Sequence, residues 1–435
     1  MKWWKVLITL AGFGACSAGG AVELGPKLPR VDPSKHQLEI SDYSRTTGAP
    51  RDVAVVEMSR QILAQEGIEA LREEFKHRLA ALYWEDYPNQ AIHVRLTGAA
   101  AVAPREIHTD AGPVPVVFEL GAVMTLAEQK DKLRASWPSL KKMLPGLIGA
   151  SVNERFGFVG IDVRSEGGDA RPYADEKASV ERLLGMPVKF TAVPEEPREV
   201  PPAILESGSK STISPGAVIP GVLPGGWMLN SGSQHCTGGF TVRDPVSGKG
   251  GVLTAGHCPN SAVYMNYPVP PNPLPTVALP TTMEAEYWGG TTDFQWHSFA
   301  EGVTVNNVYC TSFTSCGGVI ILKVSAPTIG TRMCHMGATT GASCGTLAST
   351  EYIYDDVAHP CENQDPLTCP TGTWLRVEGS SLACAGGDSG GPVFANSVAY
   401  GLAKAAISAG TAPGQCPALI VMPINRVTNK GLILL

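Results

Sequence analysis

Ser389, in the run Gly387-Asp388-Ser389-Gly390-Gly391, is the side chain best placed to attack a carbonyl. Glycines on both sides let the backbone turn tightly and approach a ligand closely. A hydroxyl held on such a turn becomes a nucleophile once a neighbouring base takes its proton. Two chain orders of base and supporting acid compete. If the motif is read as G-x-S-x-G on a strand-to-helix elbow, the acid and the histidine must follow the serine. From Gly390 to Leu435 there is no Asp, Glu or His, so that order is excluded. The order His, Asp, Ser is available. His257 ends the run Gly251-Val252-Leu253-Thr254-Ala255-Gly256, which reads as a buried strand followed by a turn. Asp293 stands in Thr291-Thr292-Asp293-Phe294, although Glu284, Glu286, Asp355 and Asp356 also lie between His257 and Ser389.

These residues divide the chemistry of acyl transfer among them. His257 would take the Ser389 proton and return it to the leaving amine, and Asp293 would hold its tautomer and support the imidazolium. Backbone N–H groups of Gly387 and Ser389 would form the oxyanion hole, a role that favours glycine at 387. Taken in order, Thr254-Ala255-Gly256-His257-Cys258, Thr292-Asp293-Phe294 and Gly386-Gly387-Asp388-Ser389-Gly390-Gly391-Pro392 resemble the bacterial chymotrypsin-fold serine proteases of the streptogrisin and α-lytic protease type. The resemblance runs from about Gly225 to the C-terminus. The segment Cys310–Cys316 and the loop Pro360–Pro370 are less family-like.

That resemblance implies a C-terminal all-β double antiparallel barrel, chymotrypsin-like, and no cofactor. It places Leu382 and Ala383 at the base of the specificity pocket and Ala403 and Lys404 on its far wall. No acid stands at the base, so a buried substrate cation would lack a partner and an apolar residue before the cut bond is expected. The far wall departs from the family, where Gly-Leu-Thr-Ser-Gly-Gly is usual and this chain has Gly401-Leu402-Ala403-Lys404-Ala405-Ala406. The serine that normally supports the catalytic acid is therefore missing, and Lys404 points either to solvent or into the pocket. Asp388 is expected to brace the oxyanion loop against a freed N-terminus or another internal group.

The elements around these residues fit that picture. Short apolar runs between turn signals fill the back half (Val252-Leu253, Val319–Val324, Thr373–Val377, Val398–Leu402), as antiparallel barrels require. The front half is α/β material. A helical pattern spans Asp52–Ala80, a hairpin joins Leu82–Trp84 to Ala91–Leu96, and a strand covers Val114–Leu120. A helix follows over about Leu126–Leu144, then strand Phe156–Val163, a helix near Asp175–Leu184 and strand Pro187–Phe190. Asp162, Glu119, His77 and His93 share no motif there and read as packed or solvated residues.

Charge density marks the division. Of 34 basic and 40 acidic residues, about 20 lie beyond Gly221. Proline, serine and glycine crowd residues 194–221, which read as a linker holding a maturation site between about Ser207 and Gly226. We therefore divide the chain into an export signal (1–18), an N-terminal α/β pro-region (19–193), the linker, and a protease domain (222–435). The family implies that such a pro-region assists the folding of its protease and restrains it. A permanent substrate- or partner-binding domain is the rival.

Compartment follows from the N-terminus and the cysteines. Lys2 and Lys5 precede a short apolar run from Val6, the form of an export signal too short to span a bilayer. Gly14-Ala15-Cys16 resembles a lipoprotein processing site with Cys16 lipidated; ordinary cleavage near Ala18 is the alternative. Ten of the 11 cysteines lie beyond residue 222, an even set that reads as disulfides in an exported chain. The simplest pairing joins neighbours: Cys236–Cys258, Cys310–Cys316, Cys334–Cys344, Cys361–Cys369 and Cys384–Cys416. Family resemblance supports the first, third and last. No C-x-x-C or H-x-x-x-H spacing points to a metal. A net charge of −6 gives no reason to expect nucleic acid, and membrane attachment would come only through a lipid at Cys16. The expectation is a secreted or lipid-anchored serine endopeptidase made as a zymogen and acting on proteins or peptides. A catalytically impaired binding protein on the same fold and an esterase are the alternatives.

Overall fold

The computed structural model of the chain describes residues 30–164, 173–193, 198–199, 203–204, 223–232, 234–266, 278–313, 316, 318–320, 322–323, 326–354, 373–407 and 414–435. The export signal, Cys16, the Cys361–Cys369 pair and most of the linker lie outside the described residues.

The front half builds two α/β layers. Helices Gln37–Thr47, Arg51–Leu63 and Gln65–Phe75 precede a four-stranded sheet in which Leu79–Glu85 pairs antiparallel with Ala91–Thr97. The single helix expected over Asp52–Ala80 is thus two, broken at Ala64, and it stops at Phe75. Residues Ala80 to Trp84 are an unbroken apolar run, and burying both faces of a strand there outweighs continuing an amphipathic helix. The helix Leu126–Met143 begins with a capping box, Thr125 and Glu128 each satisfying the other's backbone N–H. It covers a second sheet of Leu147–Asn153, Phe158–Arg164 and Val188–Val193. The first of these strands was not expected, because its glycine, alanine and serine give little apolar signal.

The back half contains a closed six-stranded barrel. Strand Arg332–Gly337 pairs with Pro392–Ala395, then in turn come Val398–Ile407, Ala418–Pro423, Thr373–Glu378 and Gly341–Tyr354, which returns to Arg332–Gly337. Its interior is filled by Leu347, Leu375, Val377, Leu382, Val393, Ala403, Leu419 and Val421. Beside it two five-stranded sheets, one built on Gly250–Thr254 and Thr292–Ser298 and the other on Met228–Ser231 and Gln234–Thr237, share a core of Leu229, Phe240, Val252, Leu253, Tyr264 and Phe294. The run expected as one strand over Val319–Val324 is two short ones, Gly318–Val319 and Leu322–Lys323. Disulfides join Cys236 to Cys258, Cys310 to Cys316, Cys334 to Cys344 across paired strands, and Cys384, ahead of the serine, to Cys416 at the approach to strand Ala418–Pro423.

The two halves share hydrogen-bonded β-structure. Ile353 and Tyr354, at the end of the longest barrel strand, pair with Ala150 and Gly149 of the front sheet. Two short stretches of the otherwise undescribed linker also pair with the back half. Arg198–Glu199 runs antiparallel to Ala405–Ala406, and Ala203–Ile204 runs antiparallel to Gln234–His235.

Candidate active site

Three strands converge where the barrel meets the other β-layers. His257 follows strand Gly250–Thr254, Asp293 lies near the start of Thr292–Ser298, and Ser389 precedes Pro392–Ala395. His257 Nε2 lies 2.8 Å from Ser389 Oγ, and its Nδ1 lies 2.9 Å from Asp293 Oδ2. The His257 backbone N–H also donates to Asp293 Oδ1 at 3.1 Å, so one carboxylate fixes both the ring and its main chain. Gln295, two residues on and therefore on the same face of its strand, donates to the carbonyls of Ala255 and Cys258 and holds the turn carrying His257. The other acids weighed for this role are engaged elsewhere: Glu284 accepts from Lys249 and Ser298, and Glu286 accepts from Asn260. Asp355 and Asp356 lie outside the described residues.

The serine loop is held by neutral donors. Asp388 is 1 % exposed; it accepts from the backbone N–H of Thr339, Thr340 and Ala385 and from Thr340 Oγ1. The internal group that braces this loop is therefore the Ala338–Thr340 turn. The Gly386 carbonyl accepts from Thr339 Oγ1 and the Asp388 carbonyl from Gly391 N–H. In trans peptides each of these carbonyls points away from the N–H of the residue that follows it, Gly387 in one case and Ser389 in the other. Gly387 has φ +92°, and a Cβ there would sit 2.4 Å from His235 Nε2. Gly390 has φ +83°, with Thr254 Oγ1 only 2.2 Å from the place of a Cβ. Both positions require glycine.

The residues expected at the pocket are largely buried. Leu382 and Ala403 are turned into the barrel core, 1 % and 2 % exposed, where closing the barrel demands apolar volume. Ala383 is partly exposed, and its carbonyl accepts from Thr340 Oγ1 and lies 2.8 Å from His335 Nε2. Lys404 points neither to solvent nor to a pocket wall. Its ammonium, 1 % exposed, donates to Asp293 Oδ2 at 2.9 Å and lies 4.8 Å from the centre of the Trp374 ring. A buried cation needs a partner, and Asp293 is the carboxylate the strand brings to it. The one lysine in the apolar run Val398–Ile407 was the available signal, because a charge in a buried strand must be paired.

Burial alone would raise the Asp293 carboxyl. The charges of His257 and Lys404 and their hydrogen bonds overcome it and hold the group well below the usual carboxylate range. His335 is fully buried, and desolvation pushes its imidazole down against the opposing pull of Asp388 and the Ala383 carbonyl. In the front half, Asp162 pairs with Arg376 and Tyr352, and His93 lies between Glu85 and Glu119. Both are packed groups far from the serine in the topology.

No family model matches the chain, and no curated protein matches it by sequence. Solved structures similar to about half of it include Thermobifida fusca protease A, 25 % identical over 49 % of this chain and 98 % of that one, TM-score 0.38. Nocardiopsis protease is 20 % identical over the same shares, TM-score 0.38, and Cellulomonas bogoriensis chymotrypsin 22 % identical over 49 % and 98 %, TM-score 0.36. The closed barrel and the adjoining β-layers make the back half a chymotrypsin-like fold.

Proposed function

We propose that this chain is a serine endopeptidase synthesised as an exported zymogen and acting through an acyl-enzyme. The observation that carries the reading is the continuous relay from Asp293 through His257 to Ser389 Oγ, with both links at 2.8–2.9 Å. His257 is the base that frees the Ser389 alkoxide as it attacks the peptide carbonyl. The oxyanion then faces the Gly387 and Ser389 N–H groups, and His257 protonates the departing amine; water repeats the cycle on the ester. Ala383, small and uncharged, supports an apolar residue before the cut bond. Four disulfides support an oxidising compartment. No described helix is long and apolar enough to cross a membrane.

The zymogen reading has its own support. Arg198–Glu199 pairs with Ala405–Ala406, directly after Lys404, and Ala203–Ile204 pairs with Gln234–His235, directly before the Cys236–Cys258 bridge. The chain is thus added to two strand edges of the back half, the way an extended peptide binds a sheet. Only Val200-Pro201-Pro202 joins the two stretches. A bond to a proline nitrogen offers a tertiary amide inside a ring, a poor fit to proton delivery from His257, so the Val200–Pro201 and Pro201–Pro202 bonds resist cleavage in this reading. Release requires cleavage elsewhere, and the linker after Ile204 is where we place it. The test is turnover of peptides with varied residues before the cut bond, by the species recovered after full-length expression, with its N-terminus sequenced. Peptide cleavage after apolar residues by a chain starting beyond Ile204 is expected. Activity from a chain that keeps residues 30–204 uncut would overturn the zymogen reading.

A further inference from the structure

Lys404 and His257 compete for the same carboxylate oxygen. Lys404 Nζ donates to Asp293 Oδ2 at 2.9 Å, His257 Nδ1 lies 2.9 Å from that atom, and Lys404 and Asp293 are each 1 % exposed. A neutral hydroxyl or amide donor at this place would leave the whole carboxylate charge to support the imidazolium. A buried ammonium takes much of that charge for itself, and in a site screened from water its own positive charge reaches the ring.

We propose that Lys404 is a positioning residue that keeps His257 neutral, and so competent as a base, to lower pH than its Asp293 partner alone would allow. The inference rests on the reading of His257 as the base for Ser389. Other charged groups on the surrounding elements are engaged elsewhere. Arg426 donates to the carbonyls of Thr291 and Thr373 and lies over the Trp374 ring at 4.7 Å from its centre. Glu284 is held by Lys249, Glu286 by Asn260, His235 lies 3.0 Å from Thr339 Oγ1, and Asp388 accepts four donors of its own loop and the neighbouring turn. Lys404 is the cation bonded directly to the relay.

The direction follows from charge. His257 acts as base only when neutral, and a nearby positive charge opposes its protonation. Removing that charge makes the ring take up a proton at higher pH. The acid limb of the rate profile therefore moves upward when Lys404 is neutralised, and stays in place when the charge is kept.

The test compares Lys404→Met, Lys404→Gln and Lys404→Arg with the parent, each expressed as the full chain. Gln keeps a donor to Asp293 without the charge, which separates hydrogen bonding from electrostatics. Two readouts are taken: kcat/KM against pH on the species recovered after expression, and the NMR titration of His257 in full-length Ser389→Ala backgrounds. Lys404→Met and Lys404→Gln should raise both midpoints by about one pH unit, a roughly tenfold loss of rate well below the limb, while Lys404→Arg leaves them near the parent values. Unchanged midpoints in Met and Gln, with rate lost evenly across pH, would overturn the inference. If the parent proves inactive, the NMR midpoint still decides it: a shift upholds the electrostatic role while the protease reading fails. If Met does not fold, Gln and Arg carry the comparison.

Discussion

Arg376 on the barrel strand Thr373–Glu378 forms a buried ion pair with Asp162 on the front-half strand Phe158–Arg164. Tyr352 donates to the same Asp162 oxygen at 2.7 Å, beside the Ile353–Ala150 and Tyr354–Gly149 pairing that joins the sheets. Asp162→Ala would leave the Arg376 charge buried with Glu378 as its remaining acid, at 2.8 Å. Removing one partner of a buried pair costs about 3–5 kcal/mol, and Glu378 should reduce that to roughly 2–3. The expected result is earlier separation of the halves in urea and faster proteolysis of the linker, with the closed barrel's own unfolding little changed.

Asp388 should matter without touching substrate. Its four donors fix the peptides of Gly387 and Ser389, so Asp388→Ala frees the oxyanion loop and orphans the Thr339 and Thr340 N–H groups. We expect acylation to slow by about 10²–10³, on the scale of losing one oxyanion donor. Thr340→Val removes a single hydroxyl donor and should cost about 1 kcal/mol. Pre-steady-state acylation rates on both variants check the order.

The proline pair offers a separate test of the zymogen account. Full-length parent chain should stay uncut between Glu199 and Ala203, whereas Pro201→Ala with Pro202→Ala should be cut there by the chain's own Ser389. Intact-mass measurement with and without a Ser389→Ala change reads this directly. An uncut double variant in an otherwise active chain would contradict the protection by proline.

His297 predicts part of the acid sensitivity. It is fully buried on the strand that carries Asp293, and desolvation lowers its pKa to about 4. The unfolded chain binds this proton near pH 6.5, so the stabilising effect is complete above that value and is lost as pH falls from about 6.5 through 4. The loss amounts to about 3 kcal/mol at most. His297→Gln should flatten the fall in Tm over that window, measured against the parent by thermal melts at pH 7 and 4.5.

Much of the site was readable because its chemistry is written locally. Thr254 to His257 and Gly386 to Pro392 each fit into one turn, and their glycines and small residues have few structural uses other than close approach. Lys404 was visible as an oddity, but its partner was not, because Asp293 lies 111 residues away on a strand of the neighbouring sheet and meets it only where that sheet packs on the barrel. Asp388 was anticipated to be braced; the neutral donors of Thr339 and Thr340 come from a turn that sequence spacing does not connect to it. Leu382 and Ala403 are pocket residues by resemblance alone; both pack in the barrel core, and the long-range contacts that bury them are not written in the local sequence. The front half was legible where periodicity was strong, as in Leu126–Met143, and failed at Leu147–Asn153, whose small residues carry no apolar pattern. The pairing of that strand with Tyr354 joins positions about 200 residues apart, beyond what local pattern can express.

The most direct test of the central claim is covalent labelling of Ser389. The species recovered after full-length expression is incubated with a fluorophosphonate, beside Ser389→Ala and His257→Ala variants, and the modified peptide is mapped. The relay geometry predicts one label, on Ser389, absent from Ser389→Ala and slowed by at least about 10³ in His257→Ala. Absence of labelling in a folded chain free of residues 30–204, or labelling that persists in Ser389→Ala, would contradict it.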